Sequence, residues 1–151
     1  MPLSVEAIGV LRQTSRTFFI PIVRLPGRVR DAVGSAYLCM RSIDEIEDHP
    51  RLPNEDKVWL LTCIGDIFAA AAKEGTLDEE ALRELFDPYR NRLPGVTLAL
   101  GRFARMAPSS IANRIWLSVA GMARQMAHWV QGGFSVLTEA DLDIYTYDVA
   151  G

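Results

Sequence analysis

Apolar residues recur at spacings of three and four along almost the whole chain, and no long segment rich in Val, Ile and Thr alternates every second position between turn signals. A helix gathers positions three and four apart on one face, whereas a strand needs a period of two. The pattern therefore predicts an all-α chain. Prolines and glycines cut it into pieces. A short helix is expected over Ser4 to Gln13, then the turn Thr14-Ser15-Arg16-Thr17-Phe18 and a short segment containing Pro21. Pro26-Gly27 opens a long helix to about His49, where Pro50 and Pro53 stop it because proline has no N–H for the backbone ladder. Asn54 is the expected cap of a helix with Glu55 and Asp56 in its first turn, reaching Lys73 and ended by Gly75. Further helices are expected from Asp78 to about Asn91, from Pro94 to Met106, from Ser109 or Ser110 to Gln131, and from Thr138 onward.

With 151 residues, 49% of them apolar, the chain can bury one sizeable core, and it carries no repeat or linker that would mark a second unit. One helical domain over 1–151 is expected. A formal charge of −3 supplies no broad basic field for nucleic acid phosphates, so any bound anion must be held locally. Cys39 and Cys63 both fall inside apolar helical patterns and read as two buried reduced thiols, which favours a reducing compartment. Met1 to Glu6 lacks a basic stretch followed by an apolar run, and no window reaches the ~20 uninterrupted apolar residues of a membrane span. A cytoplasmic protein with membrane contact only at its surface is expected.

The chemistry concentrates at the end of the long helix, in Asp44-Glu45-Ile46-Glu47-Asp48. Asp44 and Asp48 are four apart, so at about 100° per residue they stand roughly 40° apart on one face. Tyr37, Arg41, Val33 and Met40 lie near that face, so an apolar stripe runs into the carboxylates. The position is electrostatically awkward, because a helix C-terminus is already negative and each exposed acid there costs about 0.3–1 kcal/mol. Arg41 can offset part of this by pairing with Asp44 or Glu45. A divalent cation would offset more, and magnesium typically takes one or two protein carboxylates plus waters and phosphate oxygens. From spacing alone, a solvated helix end with its charges paired to nearby lysines and arginines is an equal alternative.

The company of the cluster distinguishes the two. Ser15-Arg16-Thr17-Phe18, then Tyr37-Leu38-Cys39-Met40-Arg41, then the acidic cluster, and finally Tyr145-Thr146-Tyr147-Asp148-Val149-Ala150-Gly151 occur in order. This succession resembles the squalene and phytoene synthase family of head-to-head prenyl synthases: a Ser-Arg-x-Phe turn, a Tyr-x-x-x-Arg segment, a first Asp-x-x-x-Asp motif and a Tyr-Cys-x-x-Val-Ala-Gly signature. The resemblance implies a helical isoprenoid synthase fold that joins two farnesyl or geranylgeranyl diphosphates through a cyclopropyl diphosphate to squalene, dehydrosqualene or phytoene. It implies magnesium on Asp44 and Asp48, with Glu47 as a weaker outer candidate, and NADPH only if the product is squalene. Ser15, Arg16 and Thr17 would contact diphosphate oxygens, while Arg41 would neutralise the leaving group or brace the acids. Tyr37 and Tyr145 would line the chamber, where an aromatic face stabilises a cation and a phenol relays a proton. Peripheral membrane contact would serve release of the apolar product.

Each residue also has a plainer reading. Tyr37 and Tyr145 suit core tyrosines with one hydrogen bond, Ser15 a helix cap, Phe18 the core, and Arg16 and Arg41 surface charges. Gly121-Met122-Ala123-Arg124-Gln125-Met126-Ala127 departs from the family's Met-Gly-x-Gly-Met-Ala, so Ala123 and Gln125 are expected to crowd a close-packed place beside the chamber. Thr146 replaces a cysteine. Ionising a diphosphate in this fold needs acidic motifs from two sides, and Asp141, Asp143 and Asp148 do not repeat the four-residue spacing. The second motif of family members lies in a continuation beyond Val-Ala-Gly, so the chain reads as the N-terminal half of a synthase, inactive alone. A non-catalytic helical relative acting in assembly or partner binding, and a head-to-tail prenyl synthase or terpene cyclase, are the alternatives.

Overall fold

The computed structural model describes residues 3–15 and 19–132. Among these every regular element is helical: α1 Val5–Ser15, α2 Phe19–Val23, α3 Gly27–Glu47, α4 Asn54–Glu74, α5 Glu79–Phe86, α6 Gly95–Leu98, α7 Leu100–Arg105 and α8 Ala112–Gln131. A 3-10 turn, Asp87–Tyr89, follows α5. The helix expected from Thr138 lies outside the described residues.

Boundaries follow local chemistry where local chemistry is strong. Ser4 Oγ accepts the Ala7 N–H at 3.1 Å and starts α1, which runs on to Ser15, so Thr14 and Ser15 are helical rather than part of the expected turn. Pro53, extended at φ −59° and ψ 147°, occupies the cap position of α4 and Asn54 is its first helical residue, so the helix starts one residue earlier than expected. Gly75 ends α4 at φ 81°, a left-handed conformation that costs glycine nothing. Asp78 accepts the Ala81 N–H at 3.0 Å and caps α5. The helix expected over Asp78–Asn91 stops at Phe86 and tightens into the 3-10 turn, because Pro88 cannot donate to an α ladder. The helix expected over Pro94–Met106 is broken at Ala99 into α6 and α7.

The core forms along two seams. α4 and α8 lie against one another for most of their lengths, burying Leu61, Ile64 and Phe68 on one side and Val119, Ala123 and Met126 on the other. Each such large side chain contributes about 1.5–3 kcal/mol of hydrophobic burial. Gly65 lets the helices approach, since a Cβ there would stand 2.8 Å from Arg124 Cγ. The second seam sets α3 against α6, α7 and α8. Here buried Leu38, Ile43 and Ile46 are joined by three buried hydroxyls, of Ser35, Ser42 and Thr97. Ser35 Oγ donates to Phe103 O at 2.7 Å, and Trp116 Nε1 donates to Ala104 O at 3.0 Å, so α7 is tied to α3 on one side and α8 on the other.

Candidate diphosphate and metal site

The last turns of α3 carry the acidic cluster, backed by the second seam. Asp44 and Glu45 are half-buried, Asp48 is exposed, and Glu47 is buried at 5% exposure. Arg41 reaches across both half-buried acids, its Nη2 lying 2.5 Å from Glu45 Oε1 and its Nη1 3.8 Å from Asp44 Oδ2. It therefore pairs with both acids. Its Nε is buried with no hydrogen-bond partner, an open donor beside the acids. Burial pushes the Asp44 carboxyl above its ordinary range, the Asp48 charge adds to this, and the Arg41 guanidinium works against both.

Two residues not foreseen from the sequence secure the end of the helix. Lys57 Nζ donates to Glu47 O at 2.7 Å, placing a cation on the negative end of α3. His49 Nδ1 accepts the N–H groups of Arg51 and Leu52 at 3.1 and 3.0 Å. The ring hydrogen is thereby assigned to Nε2, which donates to Arg92 O at 2.8 Å. Neither contact has a spacing signal, because each joins the cluster to a different part of the chain.

The same face of α3 continues as an apolar surface away from Asp44. Val29 and Val33 are 48% and 39% exposed, and Tyr37 and Met40 are half-buried. At 1.5 Å per residue the surface from Val29 to Asp44 extends about 22 Å. Tyr37 OH donates to Thr14 O at 3.1 Å, in the last turn of α1. Its proton is thus engaged by a backbone carbonyl, the arrangement of a core tyrosine, and the bond holds the end of α1 beside α3. Ser15 ends that helix. Its side chain, and Arg16, Thr17 and Tyr145 altogether, lie outside the described residues, as do Phe18 and Thr146.

Among the described residues no group of three or more His, Cys, Asp or Glu side chains is placed to hold a metal ion. Glu47, buried, does not complete a triad with Asp44 and Asp48. The aspartate pair nevertheless fits magnesium in its chemistry: two hard oxygen donors one turn apart, of the kind magnesium takes together with waters and phosphate oxygens. Ala123 is buried on α8, whereas Gln125 is exposed and Gly121 faces open space among the described residues. Cys39 is buried and free, as expected, while Cys63 is only half-buried.

Comparison with known proteins places the chain in a family. The sequence profile of squalene/phytoene synthase matches residues 11–151. The chain is 30% identical over 144 residues to Botryococcus squalene synthase of Botryococcus braunii, covering 95% of this chain and 29% of that protein. It is 30% identical over 149 residues to squalene synthase of Solanum lycopersicum, covering 94% and 32%. Lycopaoctaene synthase of Botryococcus braunii is 28% identical over 143 residues, covering 95% and 30%. The chain thus spans about a third of the length of these relatives. A profile match over residues 11–151 of a helical chain settles the grouping: this chain belongs to the squalene/phytoene synthase family.

Proposed function

We propose that the full-length protein condenses two prenyl diphosphates head-to-head, and that α3 receives one of them with its tail along Val29, Val33, Tyr37 and Met40 and its diphosphate at Asp44 and Asp48. The observation that carries this reading is the junction itself: an apolar surface running about 22 Å along one helix ends on two carboxylates and a guanidinium. A prenyl diphosphate has the matching form, a long apolar tail and a compact multiply charged head. Asp44 and Asp48 would hold magnesium, whose chemistry there would be to neutralise charge on a departing diphosphate. Arg41 keeps Asp44 and Glu45 in place and offers its open Nε–H to an anionic oxygen. Ser15, Arg16 and Thr17 contribute further donors to the diphosphate, Tyr145 lines the chamber, and Glu47 supports the acid pair from the interior of the seam.

Family membership supports condensation through a cyclopropyl diphosphate. NADPH enters only if the product is squalene. The product, whichever it is, is apolar, and peripheral membrane contact serves its release. The described residues themselves include no helix long and apolar enough to cross a membrane.

The test is a steady-state assay of the full-length protein with farnesyl or geranylgeranyl diphosphate while magnesium is varied. Replacing Asp44 or Asp48 by Asn should lower kcat by about a hundred-fold or more, since metal neutralisation of a leaving group supplies several kcal/mol. Wild-type turnover in both variants, or turnover that ignores magnesium, sinks the assignment, whereas absence of turnover in the wild-type full-length protein favours the non-catalytic alternative.

A further inference from the structure

The side of α3 turned away from Asp44 is gripped by hydroxyl groups as well as by apolar contact. Ser42 stands two residues before Asp44 and so about 160° around the helix from it. Ser42 and Thr97 are both 0% exposed. Ser42 Oγ lies 2.7 Å from Leu38 O of its own helix and 2.8 Å from Val96 O of α6, so one hydroxyl hydrogen is shared between them. Thr97 Oγ1 donates in the opposite direction, to Ser42 O at 2.8 Å. Each helix therefore has a side chain bonded to the backbone of the other at a single crossing point.

A purely apolar seam would hold the fold equally well, and buried hydroxyls are a liability unless every one is bonded. What the reciprocal pair adds is register. Packed leucines and isoleucines admit shifted arrangements, as ridges of side chains re-seat in neighbouring grooves. Paired hydrogen bonds to fixed carbonyls do not. Register matters here because a slip of one residue turns Asp44 and Asp48 through about 100° and moves them 1.5 Å along the axis. Lys57 on Glu47 O and His49 on Arg92 O pin the following turn in the same manner.

We infer that Thr97 and Ser42 are positioning residues, whose crossed hydrogen bonds between α6 and α3 fix the rotation of α3 so that Asp44 and Asp48 face one point. The inference rests on the reading of those aspartates as metal ligands. It assigns a site function to α6, a four-residue element packed on α3.

The test uses the full-length protein with Mn2+ as probe, titrated in the presence of inorganic pyrophosphate, free Mn2+ being counted by electron paramagnetic resonance. Thermal unfolding is followed on the same samples. Thr97→Val should weaken Mn2+ binding by about ten-fold, the lower end of what loss of an outer partner costs a metal site, and Thr97→Ser should restore it. Val119→Ala, a truncation buried on α8, should lower the unfolding temperature without moving Mn2+ affinity. If Thr97→Val does not fold, Ser42→Ala is read in the same way. Wild-type Mn2+ affinity in a folded hydroxyl variant overturns the inference, whatever happens to its unfolding temperature. Asp44→Asn separates the two levels: if it leaves Mn2+ binding intact, the metal assignment fails and takes this inference with it. If it abolishes binding while Thr97→Val and Ser42→Ala do not weaken it, the positioning role alone is wrong.

Discussion

At neutral pH the Asp44 carboxylate is held against burial, which favours its neutral form, and against the neighbouring charge of Asp48, with Arg41 only partly compensating. The sign of the consequence follows from linkage. A carboxyl whose folded pKa lies above its unfolded value binds its proton more tightly in the folded state, so the site costs stability once pH rises past the unfolded value, and the cost is complete above the folded one. Asp44→Asn should therefore increase resistance to urea at neutral pH in magnesium-free buffer, and the gain should vanish as pH falls below the ordinary carboxylate range. Comparing urea midpoints at neutral and acid pH checks this. The thiols give a second residue-level outcome. Burial pushes Cys39 up to about 12, and Cys63 is raised by partial burial and by Asp66. Iodoacetamide at about pH 8 should label Cys63 slowly and Cys39 only in denaturant, read by mass spectrometry, because the thiolate is the reactive form. That Asp44 and Asp48 stand one turn apart was legible from spacing, since one lies in the last turn of α3 and the other is its C-cap. The tie from Tyr37 to Thr14 was not, because its partner is a backbone carbonyl on another helix.

Elements ended where the backbone itself forbids continuation. Pro53 and Gly75 bracket α4 within one residue of expectation, since an absent N–H and a left-handed φ act without help from the rest of the molecule. Gly75→Ala should lower unfolding free energy by about 1–2 kcal/mol, the cost of a Cβ in the left-handed region, with Gly75→Asn milder; urea denaturation measures it. α6 and α7 were read as one helix because their apolar spacing is continuous. The break at Ala99 belongs to α3, whose Ser42 and Ser35 take the carbonyls of Val96 and Phe103 on either side of it. A pattern of apolar positions records which residues face inward and is silent about which carbonyl a distant hydroxyl will claim.

For the molecule as a whole, the arrangement is a helix bearing the acid pair, α3, backed by α6, α7 and α8, while α4 and α8 pack together in a further apolar seam. The chain of residues 1–151 carries one Asp-x-x-x-Asp pair, Asp44 with Asp48. Incubated alone with farnesyl or geranylgeranyl diphosphate and magnesium, it should show no turnover, and robust product formation would overturn the view that a second acidic motif is needed. The sequence by itself determined the helical class, most helix ends, the acid pair with its apolar approach, and the ordered motifs that match a family, because each depends on residues close together on one helix or on their order along the chain. Only the tertiary structure decided that Glu47 is buried, that Arg41 bridges Asp44 and Glu45 with its Nε left open, and that Lys57, His49, Ser42 and Thr97 support the cluster. Burial and hydrogen bonding between separate segments arise only when the chain closes on itself, and no spacing along one helix can specify them.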